Sequence, residues 1–180
     1  VWLDPKKTSP YEMYQFLVNA EDAKVVEYLK RLTFLDKEEI ERLEECVKNE
    51  PHLREAQKVL GREVVTFLHG SDAYETALKI TNALFRGNIR ELSADEQRDA
   101  LSSMEKVQVS EAMDLASTLV SAKIASSKRE AREWIKSGSI QINGEKVQDE
   151  TRVIDASSAL VDDMILIKRG KRNYYVLTFA

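Results

Sequence analysis

The sequence predicts an α+β fold in two parts: an all-helical N-terminal domain over residues 1–102 and a small α+β domain over 113–180, joined by a linker at 103–112. Three observations predict it. Up to about residue 102, apolar residues recur at helical spacing between Ser, Asp, Pro and Gly boundary signals. Beyond Ser110 there is a helix, then alternating Ile140 and Ile142, then Asn143-Gly144, a strong short hairpin signal. Between Leu101 and Ser110 the helical period lapses without Pro or Gly, which marks a linker and leaves a stiff or partly ordered connection and a loose one equally open.

The first domain reads as five or six short capped helices. Val1 to Pro5 is extended, because a proline holds the residue before it out of the helical region. Ser9 and Glu12 form a capping box with Pro10 at the first helical position, where a missing N–H costs nothing. Tyr14, Leu17 and Val18 continue this helix to about Asn19. Asp22 is placed to cap the next, whose stripe is Val25, Val26, Leu29 and Leu32; Asp36 with Glu39 opens a third through Ile40 and Leu43. Pro51 breaks the pattern. A longer helix then carries Ala56, Val59, Leu60, Val64 and Phe67 to Gly70, with Gly61 inside it. Gly in a helix interior costs about 1 kcal/mol relative to Ala, so close helix packing is expected there. Asp72 and Glu75 are read as caps of a fifth helix through Ala77, Leu78, Ile80, Ala83 and Leu84 to Gly87, and Ser93 with Glu96 opens a last one.

The second domain begins with a helix over Met113 to Val120 and is organised around Ser127 to Val147. Ser127 and Glu130 make a third capping box, so a helix starts at Lys128. At about 100° per residue, Lys128, Arg129, Arg132 and Lys136 share one face while Ala131, Trp134 and Ile135 share the other. Gly138 stands where a left-handed stop residue belongs. Met164 to Ile167, a Gly170-Lys171-Arg172-Asn173 turn and Tyr174 to Phe179 form a terminal hairpin. Alternation sends one of Tyr174 and Tyr175 to the core and leaves the other able to stack on a base.

Composition narrows the function classes. The 180 residues, 43% hydrophobic and 32% charged, suit one or two globular domains. No run approaches the roughly 18 apolar residues of a membrane span. A single cysteine, Cys46, excludes internal disulfides and a cysteine-only metal site, and suits a reducing cytoplasm. Val1 in place of a start methionine leads us to expect a piece of a longer protein. The net charge is −4, but it is uneven: about +1 from Val107 onward and −5 before it. Any nucleic-acid contact in the acidic half must therefore be local.

A cationic helix face is ordinarily only solvated surface. Here the order of residues adds to composition: Ser127-Lys128-Arg129-Glu130-Ala131-Arg132, then Ile135, Gly138, Ile140 and Asn143-Gly144 resemble the RNA-binding module of ribosomal protein S-four, the αL motif. That resemblance implies a small α+β fold gripping structured RNA through the helix start and the hairpin.

A wider resemblance covers nearly the whole chain. Val1-Trp2-Leu3-Asp4, Thr8-Ser9-Pro10-Tyr11 with Tyr14-Gln15-Phe16, Leu32-Thr33-Phe34-Leu35 with Glu39-Ile40, Ala56 to Leu60 with His69-Gly70, and Lys168-Arg169-Gly170-Lys171 are similar to the C-terminal half of bacterial tyrosyl-tRNA synthetases. It implies a helical anticodon-binding domain and an S-four-like domain that holds the anticodon stem and long variable arm of tyrosine tRNA. It also implies that the catalytic domain, an ATP- and magnesium-dependent tyrosine–tRNA ligase and the family's main dimer contact, lies outside these residues. On this reading the 180 residues are a cytoplasmic monomer that binds tRNA, takes no cofactor or metal, carries no catalytic residue and touches no membrane.

Carried over residue by residue, the resemblance assigns phosphate contacts to Lys128, Arg129, Arg132, Lys136, Lys146, Lys168, Arg169, Lys171 and Arg172. Such contacts position an RNA and carry little sequence information. Some relatives carry an acidic residue where Arg172 stands, so no base-reading role is assigned to it. Asp22 resembles a carboxylate that reads the first anticodon base, accepting from the N1 and N2 groups of guanine; the alternative is a helix cap. His52, His69 and Ser71 read as structural. Two other functions remain open to the sequence: a generic αL-type module of a ribosome-associated or RNA-modifying protein, and a structural interaction domain.

Overall fold

The computed structural model describes residues 1–171 and 173–179, so Arg172 lies outside the described residues. The chain divides into two compact units, Val1–Lys79 and Ile80 onward.

The first unit is helical. It contains α1 (Pro10–Val18), α2 (Asp22–Leu32), α3 (Lys37–Asn49), α4 (Glu55–His69) and the beginning of α5 (Ser71–Arg86). The Ser9 capping box forms in full: Ser9 Oγ accepts from the Glu12 N–H and the Glu12 carboxylate accepts from the Ser9 N–H. Asp36 caps α3 by accepting from the Glu39 N–H at 2.8 Å. Glu39 does not reach back, because it pairs with Arg42 instead. Helices α1, α2 and α3 all pack on α4, burying Tyr14, Leu17, Val25, Leu29, Leu43 and Leu60. The close approach expected at Gly61 is present, since the Tyr14 ring and Val18 lie directly over it.

Several expectations differ here, and Leu32, expected on the stripe of α2, is 50% exposed. The cap of α2 is Glu21; Asp22 is the first helical residue, and its carboxylate is engaged elsewhere. Helix α5 begins at Ser71, which puts Asp72 inside the first turn. Phe67, expected on the buried stripe of α4, is 66% exposed and pairs with Phe34, ring centroids 5.2 Å apart. A stripe broader than a contact face leaves its edge residues at the surface.

The second unit holds the end of α5, α6 (Ala94–Ser102), α7 (Leu115–Ser121), α8 (Lys128–Lys136) and two sheets. The capping box of Ser93 and Glu96 opens α6. The larger sheet has the order β1-β7-β6-β3-β4, built from β1 (Glu105–Val109), β3 (Ile140–Ile142), β4 (Glu145–Lys146), β6 (Met164–Arg169) and β7 (Asn173–Phe179). Among the described residues, the β1–β7 pair alone is parallel. A second, two-stranded sheet joins β2 (Met113–Asp114) to β5 (Val153–Ile154). One core lies under α7 and α8, where Leu115, Leu119, Ala131, Ile135, Ile142 and Ile165 are buried.

The segment expected as a linker, 103–112, therefore carries a strand of the sheet, and the division into units falls inside α5 rather than after residue 102. Strand β1 has only Val107 and Val109 to mark its period, and its partner is far along the chain. The expected helix from Met113 starts at Leu115 instead, capped by Asp114. Among the described residues no helix is long and apolar enough to cross a membrane.

Candidate nucleic-acid interface

Helix α8 follows its local signals. Ser127 Oγ accepts from the Glu130 N–H at 3.2 Å, and the helix stops at Ser137 ahead of Gly138 (φ +68°). The return half of the capping box is displaced by one residue. Glu130 accepts from the N–H and the hydroxyl of Ser126, and these bonds, aided by the Arg169 charge, hold its carboxyl below the usual carboxylate range. The Asn143-Gly144 turn forms with φ +51° and +89°, joining β3 to β4. Asn143 is itself buried: its Nδ2 donates to the Ser158 carbonyl and its Oδ1 accepts from the Leu166 N–H. The hairpin is thus held from beneath by a side chain of its own turn.

Lys128, Arg129, Arg132 and Lys136 are all exposed, opposite the buried Ala131 and Ile135. Residues four apart on a helix stand about 6 Å apart along its axis, so Lys128, Arg132 and Lys136 form a row of positive charge. Arg129 pairs with Glu133 and Arg132 with Glu150, each at 3.3 Å. The Arg129–Glu133 pair lies at the surface, where an ion pair contributes about 0–1 kcal/mol and yields readily to another anion, whereas Arg132 faces the Glu150 Oε2 atom, which is buried. Lys146 is exposed on β4, and Lys171 on the turn after β6.

Two assigned residues behave differently. Lys168 is only 7% exposed, with Nζ over the rings of Tyr174 and Phe85, so it is withdrawn from the exposed cationic row. The alternation of β6 explains this: Ile167 and Arg169 face the side of α8, and Lys168 faces the other. Arg169 lays its guanidinium over the Trp134 ring, 4.6 Å from the centroid, and donates to the Ile124 carbonyl at 3.2 Å. It lines an open hollow with Lys123, Ser126, Glu130 and Trp134. Lys123, left-handed at φ +55°, was not singled out by sequence, because it belongs to no periodic face. Tyr175 packs against the α8 core, whereas Tyr174 lies under Lys168.

Asp22, in the first unit, is the remaining assigned residue. Its Oδ1 accepts from Gln57 Nε2 at 2.6 Å and from Arg54 Nη1 at 3.2 Å. Arg54, at φ +55° just before α4, also donates through Nη2 to the Val18 and Ala20 carbonyls at 2.9 and 2.7 Å. Sequence reasoning missed Arg54 and Gln57, since no local signal ties them to a residue more than thirty positions away. The α1–α2 corner also carries an open hollow lined by Gln15, Phe16, Asn19, Glu21, Lys24 and Tyr28. An exposed aromatic ring there, Phe16, offers a surface on which an unstacked base can lie.

Comparison with known proteins places similar sequences along nearly the whole chain. Residues 96–177 match the family model described as the tyrosine–tRNA ligase SYY-like C-terminal domain. Residues 1–86 match that of the class I tRNA synthetases for W and Y. A tyrosine–tRNA ligase of Staphylococcus carnosus (strain TM300) is 46% identical over 180 residues, covering 99% of this chain and 43% of the relative. One from Streptococcus pneumoniae (strain Hungary19A-6) is 47% identical over 181 residues, with the same coverage of both chains. A solution structure of a tyrosyl-tRNA synthetase C-terminal domain aligns at 37% identity and a TM-score of 0.42, covering 53% of this chain and 98% of that one. The chain thus spans about 43% of the length of the curated relatives it matches.

Proposed function

The chain belongs to the tyrosyl-tRNA synthetase family, as its C-terminal part, and from that premise we propose that it docks tyrosine tRNA for aminoacylation carried out outside these 180 residues. The observation that carries the reading is the exposed row Lys128, Arg132 and Lys136, with Arg129 beside it, on a helix whose other face is buried. The helix has no structural need of four cations on one side. Neutralising phosphates releases counterions, and this supplies affinity without sequence information.

In this reading α8 and the β3–β4 hairpin meet the backbone of the tRNA arm, with Lys146, Arg169 and Lys171 extending the contact. Asp22 accepts from the Watson–Crick edge of the first anticodon base. Together the contacts orient the distant acceptor end, so binding energy remote from the chemistry is used to position the reacting group. Docking of this kind uses no cofactor; ATP and magnesium belong to tyrosine activation. The working form is a cytoplasmic monomer for these residues alone.

The experiment is titration of the chain with tyrosine tRNA and with a tRNA of short variable arm, across a salt series. About five phosphate contacts correspond to a log–log salt slope of roughly −3.5 to −4.5. Preference for tyrosine tRNA with such a slope supports the proposal. Equal affinity for both would reduce it to a generic αL-type grip on RNA, and absence of binding at low salt would leave the cationic face as solvated surface.

A further inference from the structure

We propose that Arg54 and Gln57 are positioning residues that set the base preference at Asp22, by tying one carboxylate oxygen down and leaving the other open. The inference rests on the proposal that Asp22 meets an anticodon base. Both donors converge on Oδ1, at 2.6 Å from Gln57 and 3.2 Å from Arg54, and among the described residues no hydrogen bond reaches Oδ2. The Asp22 side chain is 44% exposed, whereas Gln57 is 1% exposed and cannot turn to solvent.

A carboxylate is ordinarily free to swing about its last torsion, which is broad and two-fold. Two donors on one oxygen remove that freedom. What remains outward is a fixed, ionised oxygen that can only accept. Guanine presents two adjacent donors, N1–H and the 2-amino group, to such an acceptor. Adenine presents an unprotonated N1, whose lone pair opposes it.

Arg54 adds a second restraint. Its Nη2 donates to the Val18 and Ala20 carbonyls, so the same guanidinium that holds Asp22 also holds the chain leading into α2. Its positive charge offsets that of Asp22, which lowers the repulsion between a carboxylate and a phosphate-rich ligand. The Gln57 amide and the Arg54 fork thus determine where the open oxygen stands and at what angle. A merely structural clamp would bind every loop sequence equally well or equally badly when weakened.

The test uses anticodon stem-loop RNAs differing only in the first anticodon base, guanosine, inosine or adenosine. They are titrated against the chain and its Asp22→Asn, Gln57→Leu and Arg54→Lys variants, with thermal unfolding alongside. The unmodified chain should prefer guanosine to adenosine by about tenfold or more, with inosine between, as expected for hydrogen bonds to a charged group. Gln57→Leu and Arg54→Lys should bring that preference below about threefold while affinity for the adenosine loop stays unchanged. A preference retained in both variants but lost in Asp22→Asn would overturn the positioning role and leave the base-reading role standing. A preference retained in Asp22→Asn would overturn both. Should Gln57→Leu not fold, Arg54→Lys decides alone, since that side chain is 35% exposed and keeps its charge.

Discussion

Gly61 lies against the ring of Tyr14 so closely that a Cβ added to it would stand 2.8 Å from both Cδ2 and Cε2. Tyr14 is buried between α1 and α4 and meets Tyr74 edge-on, so its ring has nowhere to retreat. Gly61→Ala should therefore destabilise the chain by about 1–2 kcal/mol, the overpacking cost exceeding the roughly 1 kcal/mol that Ala gains in a helix. Denaturant unfolding measures this directly; a stabilised variant would mean the contact is loose.

Burial, and secondarily the nearby Tyr74, pushes the Tyr14 hydroxyl up to about 12. The group is held neutral in the folded state, so its contribution is fully present below the ordinary tyrosine value of about 10 and is lost as pH rises from there toward 12. Ultraviolet titration should show a late phenol ionisation that is absent in Tyr14→Phe, whose alkaline unfolding should shift upward.

The bridge made by Asn143 should be intolerant of chemical change. Asn143→Asp replaces the donor facing the Ser158 carbonyl with an acceptor while keeping the shape. A cost of about 2–3 kcal/mol is expected, read as a lowered denaturation midpoint. Asn143→Gly keeps the left-handed backbone and loses both bonds, so it should also destabilise.

Reversing the charge of Arg129 and Arg132 together should abolish most RNA affinity at low salt and make the salt slope shallower by about 2. The Arg129–Glu133 pair lies at the surface, so reversing Arg129 alone should leave thermal stability nearly unchanged, whereas reversing Arg132 sets a carboxylate against the buried Glu150 Oε2 and should lower it. Unaltered RNA binding would instead mark the face as solvated.

Asp114 caps α7, and its bonds from the Ser117 hydroxyl and N–H hold its carboxyl below the usual range. Asp114→Ala should cost about 1 kcal/mol at neutral pH. Because the folded value is the lower one, this advantage is present above the unfolded value near 3.9 and disappears as pH falls below it. Parallel denaturation curves at pH 7 and pH 3 compare the two.

The cap of Ser9, the cap of Ser93, the stop at Gly138 and the Asn143-Gly144 turn were all readable, because each is settled by groups within a few residues of one another. Strand β1 was not, because Val107 and Val109 acquire meaning only when β7 lies beside them. The cap at Ser127 was half readable: Ser126 competes with Ser127 for the Glu130 carboxylate, and a one-residue displacement leaves the sequence pattern intact.

By itself the sequence determined the helical and mixed parts and the two faces of α8, since periodicity and short-range hydrogen bonding act along the chain. Only the tertiary structure decided that Lys168 turns inward while Arg169 stacks on Trp134, that Tyr175 rather than Tyr174 meets the α8 core, and that Asp22 is held by Arg54 and Gln57 instead of capping its helix. The physical reason is the same in each case. Which face of a strand is buried, and which donor finds a carboxylate, depends on elements brought close by packing, and packing is set by the whole chain rather than by neighbours in sequence.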